Sequence, residues 1–226
     1  MKLNHLAIIM DGNRRWAISN NLPSYHGHQK GADNLWNMIN DIDNYSFKYL
    51  TVFIFSTENW KRSKKEISFL MELLNKFLDD TISKIKNENI KIRFIGDFSV
   101  FNKKIQNKLY LINDETLNNT GVTVSLALNY GGRSDIISAL NKILKNNSIS
   151  EIIKEHDFKK FTLNGDLPYP DLLIRTGGKK RLSNFLLWDL AYTELMFLDE
   201  MWPDFNKATL KKCINNFNKR VRNYGV

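Results

Sequence analysis

The hydrophobic pattern opens with a short unbroken apolar run, Leu6 to Met10, which stops at Asp11 and passes into Gly12, Asn13, Arg14, Arg15 and Trp16. A run of this length without alternation predicts a strand covered on both faces, as in a parallel sheet. A second run, Tyr49 to Phe55, gives way to Ser56, Thr57, Glu58, Asn59 and Trp60 and predicts the neighbouring strand. Ile90 to Gly96, Val122 to Asn129, Asp171 to Ile174 and Glu194 to Phe197 read as four more strands.

Between these runs the apolar spacing becomes helical. Leu35, Met38, Ile39 and Ile42 share one face of a helix predicted from about Gly31 to Asn44, preceded by a polar connector, Asn20 to His28. Ser63 and Glu66 form a Ser-x-x-Glu capping pattern ahead of the longest helix. That helix runs to about Asn87, with Ile67, Leu70, Leu74, Phe77, Leu78, Ile82 and Ile85 at helical spacing. Further helices are predicted over Phe101 to Leu117, Ser134 to Lys145 and Lys207 to Asn223, with a short, less regular one around Ile149 to His156. The alternation of strand and helix predicts an α/β fold: one domain, residues 1–226, with a mostly parallel six-stranded sheet, helices on both faces and right-handed crossovers.

Ligands of such sheets gather outside the carboxyl ends of the strands, so the loops beginning at Asp11, Asn59, Arg133 and Arg175 are expected to converge on one cleft. The residue types suit a diphosphate. A carboxylate at Asp11 can hold a hard cation, Gly12 allows a tight turn, and the arginines can grip phosphate oxygens. Thr176-Gly177-Gly178-Lys179, flanked by Arg175, Arg181 and Ser183, reads as a second anion-binding loop. Neither G-x-G-x-x-G nor G-x-x-x-x-G-K-[ST] occurs, so the usual nucleotide folds are not indicated. His26 and His28 have no third strong ligand nearby, which disfavours zinc and leaves His28 as a phosphate-facing group. Asp79-Asp80 is not completed to D-D-x-x-D and reads as the solvent face of the long helix.

The net charge of +9 favours anionic partners. An RNA-binding role would account for that charge, but no aromatic RNA-binding motif is present, and no nucleic-acid partner is expected. The single cysteine, Cys213, rules out an internal disulfide and sits among Leu210, Ile214 and Phe217 as a core thiol. No 18-residue apolar run or signal-like start is found, and the expected location is cytoplasmic, with at most a peripheral membrane encounter.

Several blocks occur together and in order: HLAIIMDGNRRWA at His5 to Ala17, GHQKGA at Gly27 to Ala32, FSTENWKR at Phe55 to Arg62, NYGGR at Asn129 to Arg133, then DLLIRTGG and RLSNFLLWDLAYTEL. In these blocks, over almost its whole length, the chain resembles the cis-prenyltransferases, particularly the undecaprenyl diphosphate synthase branch. The resemblance implies sequential condensation of isopentenyl diphosphate onto an allylic diphosphate, usually farnesyl diphosphate, with magnesium as cofactor and cis double bonds in the product. It also implies a homodimer that meets a membrane peripherally, and a product serving as lipid carrier for bacterial cell-wall assembly.

By the same resemblance Asp11 is the magnesium-associated carboxylate and Glu194 a second one. Gly12, Asn13, Arg14, Arg15, Trp16, Ser24 and His28 belong to the allylic diphosphate side. Ser56, Thr57, Glu58, Asn59, Trp60 and Arg62 form the loop over the reacting end, and Arg175, Arg181, Leu182 and Ser183 hold isopentenyl diphosphate. Family assignments give Asn59 the proton-acceptor role. A neutral amide is a weak base, so Asn59 reads here as an orienting or relay group with Ser56 and His28; a diphosphate oxygen is one candidate for the final acceptor, whose identity the sequence leaves open. The chain departs from the family pattern at Arg14, at Ser24 (commonly Arg), at Lys179 (commonly acidic) and at Asn223-Tyr224-Gly225. A non-catalytic prenyl-diphosphate-binding subunit is the competing reading; the presence of both Asp11 and Asn59 argues against it.

Each five-carbon addition gains on the order of 4 kcal/mol on full burial, at ~0.8 kcal/mol per carbon group. An apolar product tunnel is therefore expected, walled by the long helix and by sheet residues such as Ile54 and Val122.

Overall fold

All five residues of the first strand, β1 (His5–Ile9), are buried, as the apolar run from Leu6 requires and with His5 buried beside it. In the computed structural model, which describes residues 2–42, 45–85, 88–145 and 152–220, β1 lies inside a sheet of six strands. The others are β2 (Tyr49–Ser56), β3 (Lys91–Ile95), β4 (Thr123–Tyr130), β5 (Leu172–Arg175) and β6 (Glu194–Phe197). Their order is β3-β4-β2-β1-β5-β6, and every pairing is parallel. The order turns at β1: the chain leaves it toward β2 on one side and later returns to its other side as β5. That switch point opens a crevice at the carboxyl ends of β1 and β5.

The helices are α1 (Asn13–Ser19), α2 (Ser24–Asn40), α3 (Lys64–Lys84), α4 (Lys103–Thr116), α5 (Gly132–Lys145), α6 (Glu155–Lys159) and α7 (Lys207–Asn218). Ile8, Val52, Val124 and Leu126 from the sheet pack with Leu35 and Ile39 of α2, Leu74 and Leu78 of α3, Leu109 of α4 and Phe217 of α7 in the main core. On the opposite face Ala7, Ile9, Phe53 and Leu173 meet Phe185, Leu186 and Leu190 in a smaller one. Cys213 is buried on α7, as its apolar neighbours indicated.

The largest boundary correction concerns α2. It begins at Ser24, about two turns before the expected start, so His26, Gly27 and His28 are helical rather than part of a connector. Gly27 permits this, because a Cβ there would stand 1.9 Å from the carbonyl oxygen of Asn13. The helix therefore lies against α1 at a distance only glycine allows, and its first turns carry no apolar stripe to announce them. The expected short helix at 149–156 is described only from 152, where α6 begins at Glu155; positions 146–151 lie outside the described residues, as do 43–44, 86–87 and the predicted helix end and departing tripeptide within 221–226.

β2 and β4 pair with register shifts at Phe53/Phe55 and Phe55/Ser56. Irregularities of this kind re-aim side chains beside active sites. Here they bring the end of β2 over the crevice.

Candidate active site

Asp11 follows β1 by two residues, and Arg175 ends β5 directly opposite Ile9. Arg175 Nη2 donates to Asp11 Oδ2 at 2.8 Å, and Arg15 Nη2 donates to Asp11 Oδ1 at 3.1 Å. Burial pushes the Asp11 carboxyl up, but the hydrogen bonds and charges of Arg175 and Arg15 outweigh it and hold the group below the usual range. The backbone is pinned as firmly as the side chain. Thr176 Oγ1 accepts from Asp11 N at 3.0 Å and donates to Asp11 O at 2.7 Å. Gly12 then takes φ 111° and starts α1, with Met201 so close behind that a Cβ would meet it at 2.9 Å.

Arg175 is almost wholly buried, and Nη1 donates to Ser183 Oγ at 2.7 Å and to the carbonyl of Arg181. The loop carrying Arg181 and Ser183 is thus built onto the end of β5. On the other side of the cleft, Ser56 and Asn59 lock one another: Ser56 N donates to Asn59 Oδ1 at 3.0 Å, and the Ser56 side chain caps the turn Thr57–Lys61 in return. The carbonyl end of the Asn59 amide is consumed by this cap, which leaves its NH2 end for the cleft.

His28 enters from α2. Its Nε2 lies 3.7 Å from Glu66 Oε1, beyond hydrogen-bond reach, while Arg62 Nη1 donates to the same oxygen at 2.9 Å. Burial and then the Arg62 charge lower the His28 pKa against the opposing pull of Glu66, and this lowering favours the neutral ring. Glu66, read from the sequence only as a helix-capping residue, is therefore part of the site. Its backbone N–H donates to Ser63 Oγ, the cap of α3, while its carboxylate turns to Arg62 and His28.

These groups line a cleft of about 670 Å3 that takes in Asp11, Asn13, His28, Ser56, Glu58, Asn59, Arg62, Arg133, Arg175, Arg181 and Ser183. Asp11, Asn59, Arg133 and Arg175 do share one edge of the sheet. A smaller recess of about 270 Å3 continues past Gly12, Asn13, Arg14, Arg15, His28 and Glu66. Three buried polar atoms around the cleft, Asn13 Oδ1, His28 Nε2 and Arg175 Nε, have no hydrogen-bond partner. Such atoms are costly unless something else satisfies them. Apolar residues, among them Phe53, Ile54, Phe55, Leu70 and Leu187, line the remaining wall.

Other expected site residues stand elsewhere. Trp16 Nε1 donates to Asp204 Oδ1 at 2.7 Å, and Trp60 Nε1 to Asn129 Oδ1 at 2.8 Å, so both indoles hold loops together instead of lining the cleft. Thr57 borders a separate small pocket with Gly131, and Leu182 packs against the smaller core. Ser24 is exposed at the first position of α2. Val122 precedes β4 at the amino edge of the sheet and belongs to the main core.

Glu194 is the clearest displacement. It opens β6 opposite Leu172, at the amino edge, and pairs with Arg220. Three strand positions separate it from the level of Arg175, about 10 Å at the usual rise. Within one chain it does not join Asp11 as a second metal-associated carboxylate, and among the described residues no group of three or more His, Cys, Asp or Glu side chains is placed to hold a metal.

The undecaprenyl diphosphate synthase family model, Prenyltransf, matches residues 9–225. An isoprenyl transferase of Neisseria gonorrhoeae is 45% identical over 221 residues, covering 98% of this chain and 88% of that protein. The ditrans,polycis-undecaprenyl-diphosphate synthase of Micrococcus luteus, named as specific for (2E,6E)-farnesyl diphosphate, is 40% identical over 225 residues, with 98% and 90% coverage. Among solved structures, lavandulyl diphosphate synthase from Lavandula x intermedia, in complex with dimethylallyl diphosphate, superposes with a TM-score of 0.94 at 34% identity, covering 100% of this chain and 99% of its own. With the motif blocks lining one cleft on a shared fold, the chain belongs to the undecaprenyl diphosphate synthase family of cis-prenyltransferases.

Proposed function

We propose that this protein condenses isopentenyl diphosphate stepwise onto farnesyl diphosphate, adding cis double bonds to make a long polyprenyl diphosphate of the undecaprenyl type. The observation that carries the reading is Arg175, which joins Asp11 on one side to the Arg181–Ser183 loop on the other and so sets two anion-binding regions side by side.

The recess at Gly12 to Arg15, with His28 and Arg62 beside it, suits the allylic diphosphate; Arg181 and Ser183 suit the isopentenyl diphosphate. Holding the two together removes much of the entropy cost of a bimolecular reaction. As the allylic carbon–oxygen bond breaks, the bonding pair leaves with the diphosphate, and Arg14, Arg15 and Arg62 stabilise the added charge. The isopentenyl double bond attacks the carbon left behind, and loss of a proton restores an alkene. The Asn59 NH2 orients a diphosphate oxygen; with its carbonyl end tied to Ser56 N, the amide is no proton acceptor, and a diphosphate oxygen takes the proton.

Asp11 fits a magnesium ion: it is ionised, partly open to the cleft and backed by cations, and this metal characteristically takes one or two carboxylates together with substrate phosphates. When bound, magnesium adds charge neutralisation at the departing diphosphate. The growing chain runs along Ile54 and Leu70 beneath α3, where Met71 and Phe77 are only partly buried. A second copy of the chain packs on the α5 side, where Ile137, Leu140 and Leu144 are exposed.

The test is incorporation of labelled isopentenyl diphosphate into extractable lipid with farnesyl diphosphate as primer, with magnesium or excess chelator, and with Asp11→Ala as control. Magnesium-dependent elongation, lost in the variant and resolved by chromatography into long products, supports the reading. Diphosphate binding without elongation from any allylic primer overturns it and makes the protein a binding subunit.

A further inference from the structure

Three strand-end loops meet at Asn184, which lies in the RLSNFLLWDLAYTEL block but to which the resemblance gave no role. Its backbone carbonyl accepts from Gly132 N at 2.6 Å, and its side-chain Oδ1 accepts from Arg133 N at 2.9 Å, both in the turn that follows β4. Its Nδ2 donates to Glu58 Oε1 at 2.8 Å, in the turn that follows β2. Asn184 itself belongs to the loop that follows β5. The two glycines of Asn129-Tyr130-Gly131-Gly132-Arg133 make room for it: a Cβ on Gly131 would stand 2.8 Å from Asn184 Nδ2, and one on Gly132 would stand 3.1 Å from Asn184 O.

The backbone around it is strained. Ser183, Asn184 and Leu186 all have positive φ, at 51°, 64° and 41°. Non-glycine residues hold such values only where surrounding contacts over-determine them, and asparagine tolerates the region better than most. The strain places Ser183 Oγ under Arg175 Nη1, and Arg175 in turn holds Asp11.

We propose that Asn184 is a positioning residue for the isopentenyl diphosphate end of the cleft, its two-ended amide holding Arg181 and Ser183 in register with Glu58 and the Gly131–Gly132 turn. The inference rests on the functional reading above for the identity of the ligand, but the tie between loops stands on the geometry alone. It acts through polarity as well as shape, since one end of the amide must donate and the other accept. In N184D the acceptor facing Arg133 N survives, while a carboxylate replaces the donor facing Glu58. N184G keeps the backbone angle and loses both side-chain bonds. Pairing N184D with E58Q reverses the donor and acceptor and restores a bond between the two loops.

Steady-state kinetics on the four proteins test this. The expected result is a rise of about tenfold in KM for isopentenyl diphosphate in N184D and N184G, the scale of one lost polar contact. KM for farnesyl diphosphate stays within about twofold, and N184D/E58Q recovers most of the loss. A general loosening of the fold would shift both KM values and would not be rescued by the reversed pair. Unchanged KM for isopentenyl diphosphate in both single variants, or a double variant no better than N184D, overturns the proposal. Amide exchange at Arg133 separates this inference from the functional reading: protection in the wild type and N184D with fast exchange in N184G upholds the loop tie even if no elongation is found, and equal protection in all three refutes it.

Discussion

Arg175 Nη2 meets Asp11 Oδ2 at 2.8 Å across 164 positions of sequence, and this bond closes the end of the β1–β5 crevice. Removing the carboxylate leaves a buried guanidinium with only Ser183 and a carbonyl for partners. Asp11→Ala is expected to lose about 100-fold or more in turnover and about 1–3 kcal/mol in stability, read from elongation rates and urea unfolding. Because the Asp11 carboxyl is held below its ordinary value, its contribution to stability is present at neutral pH and disappears as pH falls through that lowered pKa.

Asn59 separates cap from chemistry. Asn59→Asp keeps an oxygen to accept from Ser56 N, so the turn after β2 should survive with little change in melting temperature. It removes the NH2 donor, and kcat should fall by about 10- to 100-fold. Full activity with an unchanged pH profile would show that the amide has no specific role.

Gly27→Ala gives a test whose sign is informative. Helix propensity alone would favour alanine by about 1 kcal/mol. The added Cβ, however, would collide with the carbonyl oxygen of Asn13, so a net loss of about 2–4 kcal/mol is expected in chemical denaturation. A stabilised variant would mean that α1 and α2 do not approach as closely as they do here.

His5 should make the fold sensitive to acid. Its Nδ1 donates to Pro168 O at 2.7 Å and its Nε2 accepts from Thr51 Oγ1 at 2.8 Å, an arrangement only the neutral ring can make, and burial pushes its pKa down to about 4. As pH falls below the ordinary imidazole value, the unfolded chain binds the proton first. Stability is therefore lost between about pH 6.5 and 4, by about 3 kcal/mol in all. His5→Gln should flatten that part of the stability profile measured by denaturation across pH.

Asp189 works in the opposite direction. Burial raises its pKa to about 7, against the pull of Lys159, with Asp135 adding to the rise. A carboxyl raised in the fold costs stability as pH rises from about 4 to 7. Asp189→Asn should therefore stabilise the protein by about 2–4 kcal/mol at pH 8 and leave it unchanged near pH 4, a difference thermal unfolding at the two pH values will show.

The strands were legible because a strand buried on both faces must be apolar throughout, and such runs end where the chain meets solvent at the sheet edge. Glu194–Phe197 appears with its predicted bounds although it is an edge strand in which only Met196 is buried. The start of α2 was not legible: in Ser24 to Lys30 the side chains are mostly polar or absent, and a helix without an apolar stripe gives no periodic signal. Glu66 read as part of a capping pair because its backbone N–H does donate to the Ser63 cap, while its carboxylate does other work.

What the sequence determined by itself was the local chemistry: which segments are strands and helices, which carry carboxylate, amide and guanidinium groups at their ends, and, through the ordered blocks, the family. Side-chain period and motif order are properties of neighbouring residues, so they can be read along the chain. The tertiary structure decided which distant groups share a site. It set Asp11 against Arg175, drew Glu66 and Asn184 into the site, sent Glu194 and Val122 to the far edge of the sheet and turned Trp16 and Trp60 into struts. The reason is the parallel sheet, in which only one end of each strand faces the cleft, so strand order, register and loop direction decide which residues meet.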